Sequence, residues 1–403
     1  MPEENRKRGG LWTLRYTLIN STYFIAFCTI HACAAVYLLA NGFSNTEVGV
    51  LLAIANIVSA VFQPFIAGII DRKGALTNRR FILISVTVIL AGSVILLLAK
   101  DIKAVVFFVF ALIYMIQFAY QPVMTALCFE YQKAGSKINY GLARGLGSAS
   151  FAVTAAFIGG IIEKKGVDIL LFVNIVVMAL SFIIVFTFFK PGSEEDFRES
   201  QKEASHSNLF SFAKTYPAFS LFLVGTICFF FAHNMINDFM IQIIRNLGGG
   251  EKELGYSNFL QAILELPVMA LIGFILKKVS SKSLLIMSGV AFLIKISILI
   301  FATNMVMMYV SQSFQLFAYA VFIPASAYYV STTMEESDQV KGQAYVTSAI
   351  TVGGVFSNLI SGVILDHLGI GAMLISGTCV CAAGAVTALV AMTALKHHKE
   401  STV

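Results

Sequence analysis

Five ionisable side chains fall deep inside apolar stretches of this sequence: His31, His233, Asp238, Glu265 and Lys295, with Arg144 nearer the end of another. A charge at depth in hydrocarbon costs at least ~2.5–3.5 kcal/mol on insertion scales, so each needs a reason to be there. Glu265 and Lys295 lie on consecutive stretches at matching depth, which predicts an ion pair. One reading is a structural bridge in which each charge neutralises the other. The other is a proton device, with Glu265 loading and releasing a proton as its surroundings alternate between water and occlusion. Asp238, about a turn beyond Asn234, joins the same proton-coupling set.

Polar but uncharged residues form stripes around these groups. Gln117, Gln121 and Thr125 are spaced i, i+4, i+8 and so share one helix face; Gln312, Gln315 and Tyr319 do so with i+3/i+4 spacing. His233 and Asn234 stand together, and Asn20, Tyr23 and His31 supply a fourth group. With Arg144 these residues are the candidate substrate contacts. Amides at this depth also serve as interhelical glue, worth ~0.6 kcal/mol on average. The Arg144 guanidinium has the donor fork to hold a carboxylate, phosphate or sugar hydroxyl, or to pair with Glu130. His31 reads as a packing histidine, and the many phenylalanines as core and lipid-facing bulk rather than an aromatic binding box.

Other chemistries find no support. The six His and six Cys show no metal-ligand spacing, and no Gly-rich nucleotide loop, paired intramembrane Asp or His-Glu-x-x-His is present. No enzyme, cofactor, metal or nucleic-acid partner is therefore expected. Any pumping would have to draw on an ion gradient.

The elements that position these residues follow from composition. Of 403 residues, 58% are hydrophobic and only 12% charged, with mean hydropathy +0.81. Soluble domains carry about 25% charged residues, so this is an integral membrane chain. Apolar runs of twenty and more residues predict helices rather than a barrel of short alternating strands. Twelve spans are expected: 14–40, 48–70, 81–99, 104–128, 141–162, 167–189, 217–244, 254–276, 284–303, 305–330, 342–365 and 371–395. A charged stretch, 190–216, divides them into N-terminal (1–189) and C-terminal (217–403) six-helix bundles.

Lys and Arg are unevenly shared between the two sets of loops. The N-terminus, the loops after even-numbered spans and the C-terminus hold 21, against 6 in the remaining loops. The positive-inside rule then puts both termini and the central loop in the cytoplasm. A short pattern also recurs: Gly68-Ile-Ile-Asp71 before Gly74, Gly160-Ile-Ile-Glu163 before Gly166, and Gly362 through Asp366 before Gly369. A degenerate version, Gly273 to Ser280 with Lys277 at the acid position, follows span 8. Recurrence at spans 2, 5, 8 and 11 implies three-span units in alternating topology, the nested inverted repeats of one transporter architecture.

The first of these segments, Ala67-Gly68-Ile-Ile-Asp71-Arg72-Lys73-Gly74 with Arg79-Arg80 behind it, resembles the loop-2/3 signature of the major facilitator superfamily. Tyr140-Gly-Leu-Ala-Arg144-Gly-Leu-Gly-Ser148 is similar to the segment entering span 5 in its lactose permease and phenylpropionate permease branches, as are Glu265-Leu-Pro267 and Gly342-Gln-Ala-Tyr345. The resemblance implies a cavity lined by spans 1, 4, 7 and 10, a gating role for Asp71, Arg72, Gly74 and Arg79, and a monomer in a bacterial cytoplasmic membrane. It does not carry over the lactose chemistry. The sugar-binding Glu position holds Ala126, and the span-10 proton residues fall on Gln312, Gln315 and Ala318. The expected activity is symport of protons with a small polar or organic-acid solute; an exporter of amphipathic compounds and a non-transporting sensor are the alternatives.

Overall fold

In hydrocarbon every backbone N–H and C=O must be paired within the protein, and a helix does this within one segment. The computed structural model describes residues 3–71, 76–190, 212 and 214–393, and all regular structure among them is helical. The helices are α1 (Glu3–Phe27), α2 (Ala34–Ala40), α3 (Asn45–Asp71), α4 (Asn78–Leu98), α5 (Lys103–Lys133), α6 (Tyr140–Lys165) and α7 (Ile169–Phe186). After the central stretch come α8 (Pro217–Asp238), α9 (Met240–Asn246), α10 (Glu251–Ile275), α11 (Ser281–Ile300), α12 (Met305–Ser313), α13 (Tyr319–Thr333) and α14 (Glu336–Thr393). Polar side chains start several of them. Thr77 accepts from the Arg80 N–H, Asn139 from that of Leu142 and Asn304 from that of Met307.

Nine helical segments among the described residues are long and apolar enough to cross a membrane, and ten with the bent pair Leu11–Ala32 and Ala34–Ala40. The other two expected spans fall on α10, which is 25 residues long, and on the part of α14 beyond Gly369, where the helix is broken by a positive φ of 80°. Most of the expected central loop lies outside the described residues. So do Arg72 and Gly74, and the side chain of Asp71.

Three expected spans are not continuous. The first carries a π-helical turn, Cys28–Ala32, and bends by 51°. The seventh breaks at Phe239 (φ −114°, ψ 22°) between α8 and α9. The tenth passes through a 3₁₀ turn, Phe314–Leu316, before α13. The first two breaks are equivalent: Cys33 precedes Gly42 by nine residues and Phe239 precedes Gly248 by nine, and both glycines have positive φ (78° and 83°).

The same internal repeat builds the junction between the halves, where α3 packs on α14 and α6 on α10. A Cβ on Gly49 would overlap the carbonyl oxygen of Asn358, and one on Gly362 that of Asn45. At the equivalent junction a Cβ on Gly159 would overlap the Glu251 carbonyl, and one on Gly255 that of Ala155. The packed glycine is thus Gly159, four residues before its acid as Gly362 is before Asp366, rather than the Gly160 of the sequence pattern.

The acids of the pattern complete the junction. Asp366 accepts from Asn45 N (3.1 Å), Asn45 Nδ2 (2.9 Å) and Thr46 N (2.7 Å) at the start of α3; Glu163 Oε1 accepts from Lys252 N (3.0 Å) at the start of α10. Each carboxylate satisfies orphan N–H groups at the positive end of a helix in the other half. The third residue of the pattern, Gly166 or Gly369, then turns the chain with φ of 81° or 80°.

The halves separate along α6. Gly141 and Gly159 lie on one face of that helix, about five turns apart. Gly159 is jammed against backbone, whereas a Cβ on Gly141 would meet only the nearby Asn139 side chain, and Gly145 faces open space. The glycine–acid junctions bring the halves into backbone contact at one end of α6, whereas Gly141 and Gly145 at its other end meet no residue of the other half. Replacing Gly49 and Gly159 together by Leu should therefore force the junctions apart. A cysteine at Thr46 should then react with a membrane-impermeant maleimide several-fold faster than in the parent protein.

Candidate functional site

The three backbone breaks lie in spans 1, 7 and 10, three of the four predicted to line a cavity, and Pro122 lies within the fourth, the continuous helix α5. Irregular backbone at membrane depth is tolerated only where protein or water satisfies it. The candidate site is built around these positions.

On α11, Lys295 is wholly buried. Its Nζ donates to Gln315 Oε1 (2.8 Å), and Gln315 Nε2 donates to Glu265 Oε1 (2.8 Å). The direct Glu265–Lys295 pair expected from matching depth is thus replaced by a relay. The 3₁₀ turn carries Gln315 between the two charges, and a single amide offers each the group it needs, an acceptor to the ammonium and a donor to the carboxylate. Ser311 Oγ donates to the Lys295 carbonyl (2.6 Å) and ties α12 to α11 beside the relay. Gln315, expected as a substrate contact, has both ends of its amide engaged by protein.

Next to the relay, His233 stacks on Tyr319 (centroids 5.1 Å, interplanar 12°), and its Nε2 pairs with Asn237 Nδ2 (2.9 Å). Its Nδ1 has no partner. Gln312 is buried, and its Oε1 is also without a donor. Asn234 turns back to its own helix, donating to the Phe230 carbonyl (2.9 Å). Asp238 ends α8 at the backbone break.

The N-terminal half contributes a different chemistry. Arg144 Nη1 donates to Ser148 Oγ (2.8 Å), and the guanidinium lies over the Phe24 ring at 4.3 Å. The expected alternative partner, Glu130, is taken by Lys190 (3.4 Å) and Asn78 Nδ2 (2.9 Å), because the starts of α4 and the central stretch converge on it. Arg144 is instead within electrostatic reach of Glu265 and Tyr319 across the divide. Gln117 is buried with neither amide atom bonded, while Thr125 donates weakly to the Gln121 carbonyl on its own helix (3.3 Å). Arg79, expected at the gate, closes the end of α7. Its Nε donates to the Val185 carbonyl (3.0 Å) and its Nη2 to that of Phe186, and it covers the Phe189 ring (4.2 Å).

The sequence reading missed an aromatic cluster on the π-helical turn. His31 stacks on Phe27 (4.1 Å, 10°), lies 3.7 Å from the Tyr114 ring and meets Phe118 edge-on (4.5 Å). Neither ring nitrogen of His31 has a hydrogen-bond partner, so it is packed as expected but not satisfied. The signal was available, since Phe27 and His31, and Tyr114 and Phe118, are i, i+4 pairs on two cavity spans.

A helical membrane protein whose halves meet at one face and flank broken, polar spans at mid-depth is a transporter of the major facilitator type. The chain belongs to the MFS_1 like family, whose model matches residues 16–375. Among solved structures it is similar to the nucleoside transporter NupG (TM-score 0.81, 14% identity, covering 96% of this chain and 100% of that one) and to a point variant of NupG (0.79, 15%, 96% and 100%). It also resembles a bacterial homologue of the human lysosomal transporter Spinster, in an inward-facing and unoccupied conformation (TM-score 0.63, 14%, 96% and 95%). No curated protein sequence matches it.

Replacing Gln315 by Leu leaves a buried ammonium and carboxylate without their shared partner. This should cost about 3 kcal/mol, the lower end of the range for breaking a buried pair. Thermal unfolding in detergent should register the loss, and adding Lys295→Met to the variant should recover a substantial part of it.

Proposed function

We propose that this protein is a secondary carrier moving a small polar solute across the cytoplasmic membrane by alternating access, coupled to protons. The observation that carries this reading is the Glu265–Gln315–Lys295 relay at the break of span 10, a buried charge pair held through one amide on irregular backbone. A static bridge would be served by direct contact. An amide between the charges lets either end release without stranding both, as a cycling site requires. Glu265 is the proton-carrying group, Lys295 its counter-charge and Asp238 the remaining acid of the set.

Gln117, Gln121, Thr125 and Arg144 from the N-terminal half, and His233, Asn234, Gln312 and Tyr319 from the C-terminal half, form the substrate-facing group. Arg144 supplies a donor fork, and the rings around His31 and Tyr319 offer flat faces. A solute with a heteroaromatic ring and several hydroxyls matches that inventory better than a simple sugar. NupG is a nucleoside transporter, and nucleosides are accordingly the first class to test.

The excess of Lys and Arg puts both termini and the 190–216 stretch in the cytoplasm. The glycine–acid junctions then close the outside, and the chain is in an inward-open state with residues 1–189 and 217–403 as its two moving bodies. It acts as a monomer. Asp71, Arg72 and Gly74 would form the inner counterpart of the gate.

Uptake of labelled uridine into proteoliposomes should be driven by an inward proton gradient. Glu265→Gln should abolish accumulation against the gradient yet retain at least half of the parent rate of uridine exchange. If the variant still concentrates uridine, proton coupling through Glu265 is wrong.

A further inference from the structure

We propose that Asp238 and the chain break that follows it form a binding site for a monovalent metal cation, sodium, which participates in the transport cycle. The inference rests on the carrier reading but not on proton coupling through Glu265, and it separates Asp238 from the Glu265–Lys295 relay.

The first observation is electrostatic. Asp238 is the last residue of α8, so its carboxylate sits at the negative end of a helix, where a cation is favoured and an anion is not. No Lys, Arg or His lies within ion-pair distance of it among the described residues. His233, one turn earlier, is turned to Asn237 and Tyr319. The neighbours that face Asp238 are Tyr114 from α5 and Asn358 from α14, both uncharged as side chains in water at neutral pH. Among the described residues, no cationic side chain neutralises this half-buried carboxylate.

The second observation is a set of oxygens without donors. Asn358 is wholly buried with its amide nitrogen toward the Asp238 carboxylate, yet its Oδ1 has no hydrogen-bond donor. Asn237 Oδ1, next in the chain, and Gln242 Oε1, four residues on, are likewise unpaired. The break at Phe239 ends α8, and the last carbonyls of a helix lack the N–H groups a further turn would bring. One carboxylate, neutral amide oxygens and helix-end carbonyls are the donors that sodium takes at discontinuous transporter helices. A bound proton would need one acceptor and would leave the amide oxygens unexplained. A divalent ion would call for more negative charge than one carboxylate.

The third observation links the site to the gate. Gln242 Nε2 donates to Asn45 Oδ1 (2.8 Å), and Asn45 is held by Asp366. The Asn358 backbone carbonyl is the group against which Gly49 packs. An ion that draws in the side chains of Asn358 and Gln242 therefore acts on residues of the α3–α14 junction, one of the two that join the halves.

Thermal unfolding of the purified full chain, at fixed pH and equal ionic strength in sodium, potassium or choline chloride, tests the site. Sodium should raise the melting temperature by several degrees, saturably and over choline. The shift should vanish in Asp238→Asn and survive in Glu265→Gln. Should Asp238→Asn fail to fold, Gln242→Met provides the second test, with an expected weakening of apparent sodium affinity of at least tenfold. An equal response to all three salts, or a sodium shift undiminished in these variants, overturns the proposal. Proton-driven uridine uptake indifferent to sodium also overturns it, while leaving the carrier reading intact. A sodium-specific shift that Asp238→Asn removes, in a protein that moves no solute under any gradient, upholds the site and removes the carrier reading.

Discussion

A backbone crossing hydrocarbon has nowhere to send an unpaired N–H or C=O except into its own helix, into a neighbouring side chain or into trapped water. Most helices of this chain obey by running straight. The exceptions are the π-helical turn at Cys28–Ala32, the break at Phe239 and the 3₁₀ turn at Phe314–Leu316. At each, the geometry that would be penalised against lipid places a functional group. The π-turn presents His31 to Phe27 and Tyr114, the break leaves Asp238 at a helix end, and the 3₁₀ turn sets Gln315 between Lys295 and Glu265. The candidate site residues gather where the helical solution fails, because only a shielded or wet interior allows that failure.

The two halves share a scaffold and divide the chemistry. Gly42 matches Gly248, Gly49 matches Gly255, and the acids Glu163 and Asp366 cap helices of opposite halves. At the span-1 and span-7 breaks the side chains diverge. The position of Phe27 is taken by His233, that of His31 by Asn237 and that of Ala32 by Asp238. The N-terminal break thus became aromatic, and the C-terminal one polar and anionic. Under the proposed function this split would suit a carrier that binds a ring and an ion, each half offering one kind of contact.

What the sequence made legible was whatever depends on local composition. The apolar runs and the matching depth of Glu265 and Lys295 follow from residue type and spacing. The breaks in spans 1 and 7 were not legible, because no Gly or Pro marks residues 28–33 or 238–239; packing imposes them. The relay was hidden for a related reason, since Gln315 reaches both charges only through the 3₁₀ turn. The acid-x-x-Gly pattern was visible as a repeat. Its partners, the first N–H groups of α3 and α10, lie hundreds or scores of residues away, so its capping role could not be read. Whether Arg144 pairs with Glu130 could not be read, because closeness in sequence says nothing of Lys190 and Asn78, which arrive from elsewhere.

The strength of the outer junction sets how such a molecule can work. A side-chain cap at a helix start contributes ~1 kcal/mol, somewhat more when the acceptor is charged. Two caps and four tight glycine contacts therefore hold the face shut by a few kcal/mol. Moving a two-state equilibrium from 1:99 to 99:1 takes ~5.5 kcal/mol of differential binding, so a solute and a coupling ion acting together can reverse a junction of this strength. Buried ion pairs in place of the caps would exact a several-kcal/mol desolvation cost at every closure, and large apolar side chains in place of the glycines would create a surface costly to reopen. Small residues and neutral N–H donors facing single carboxylates give a close contact that costs little to separate and little to re-form.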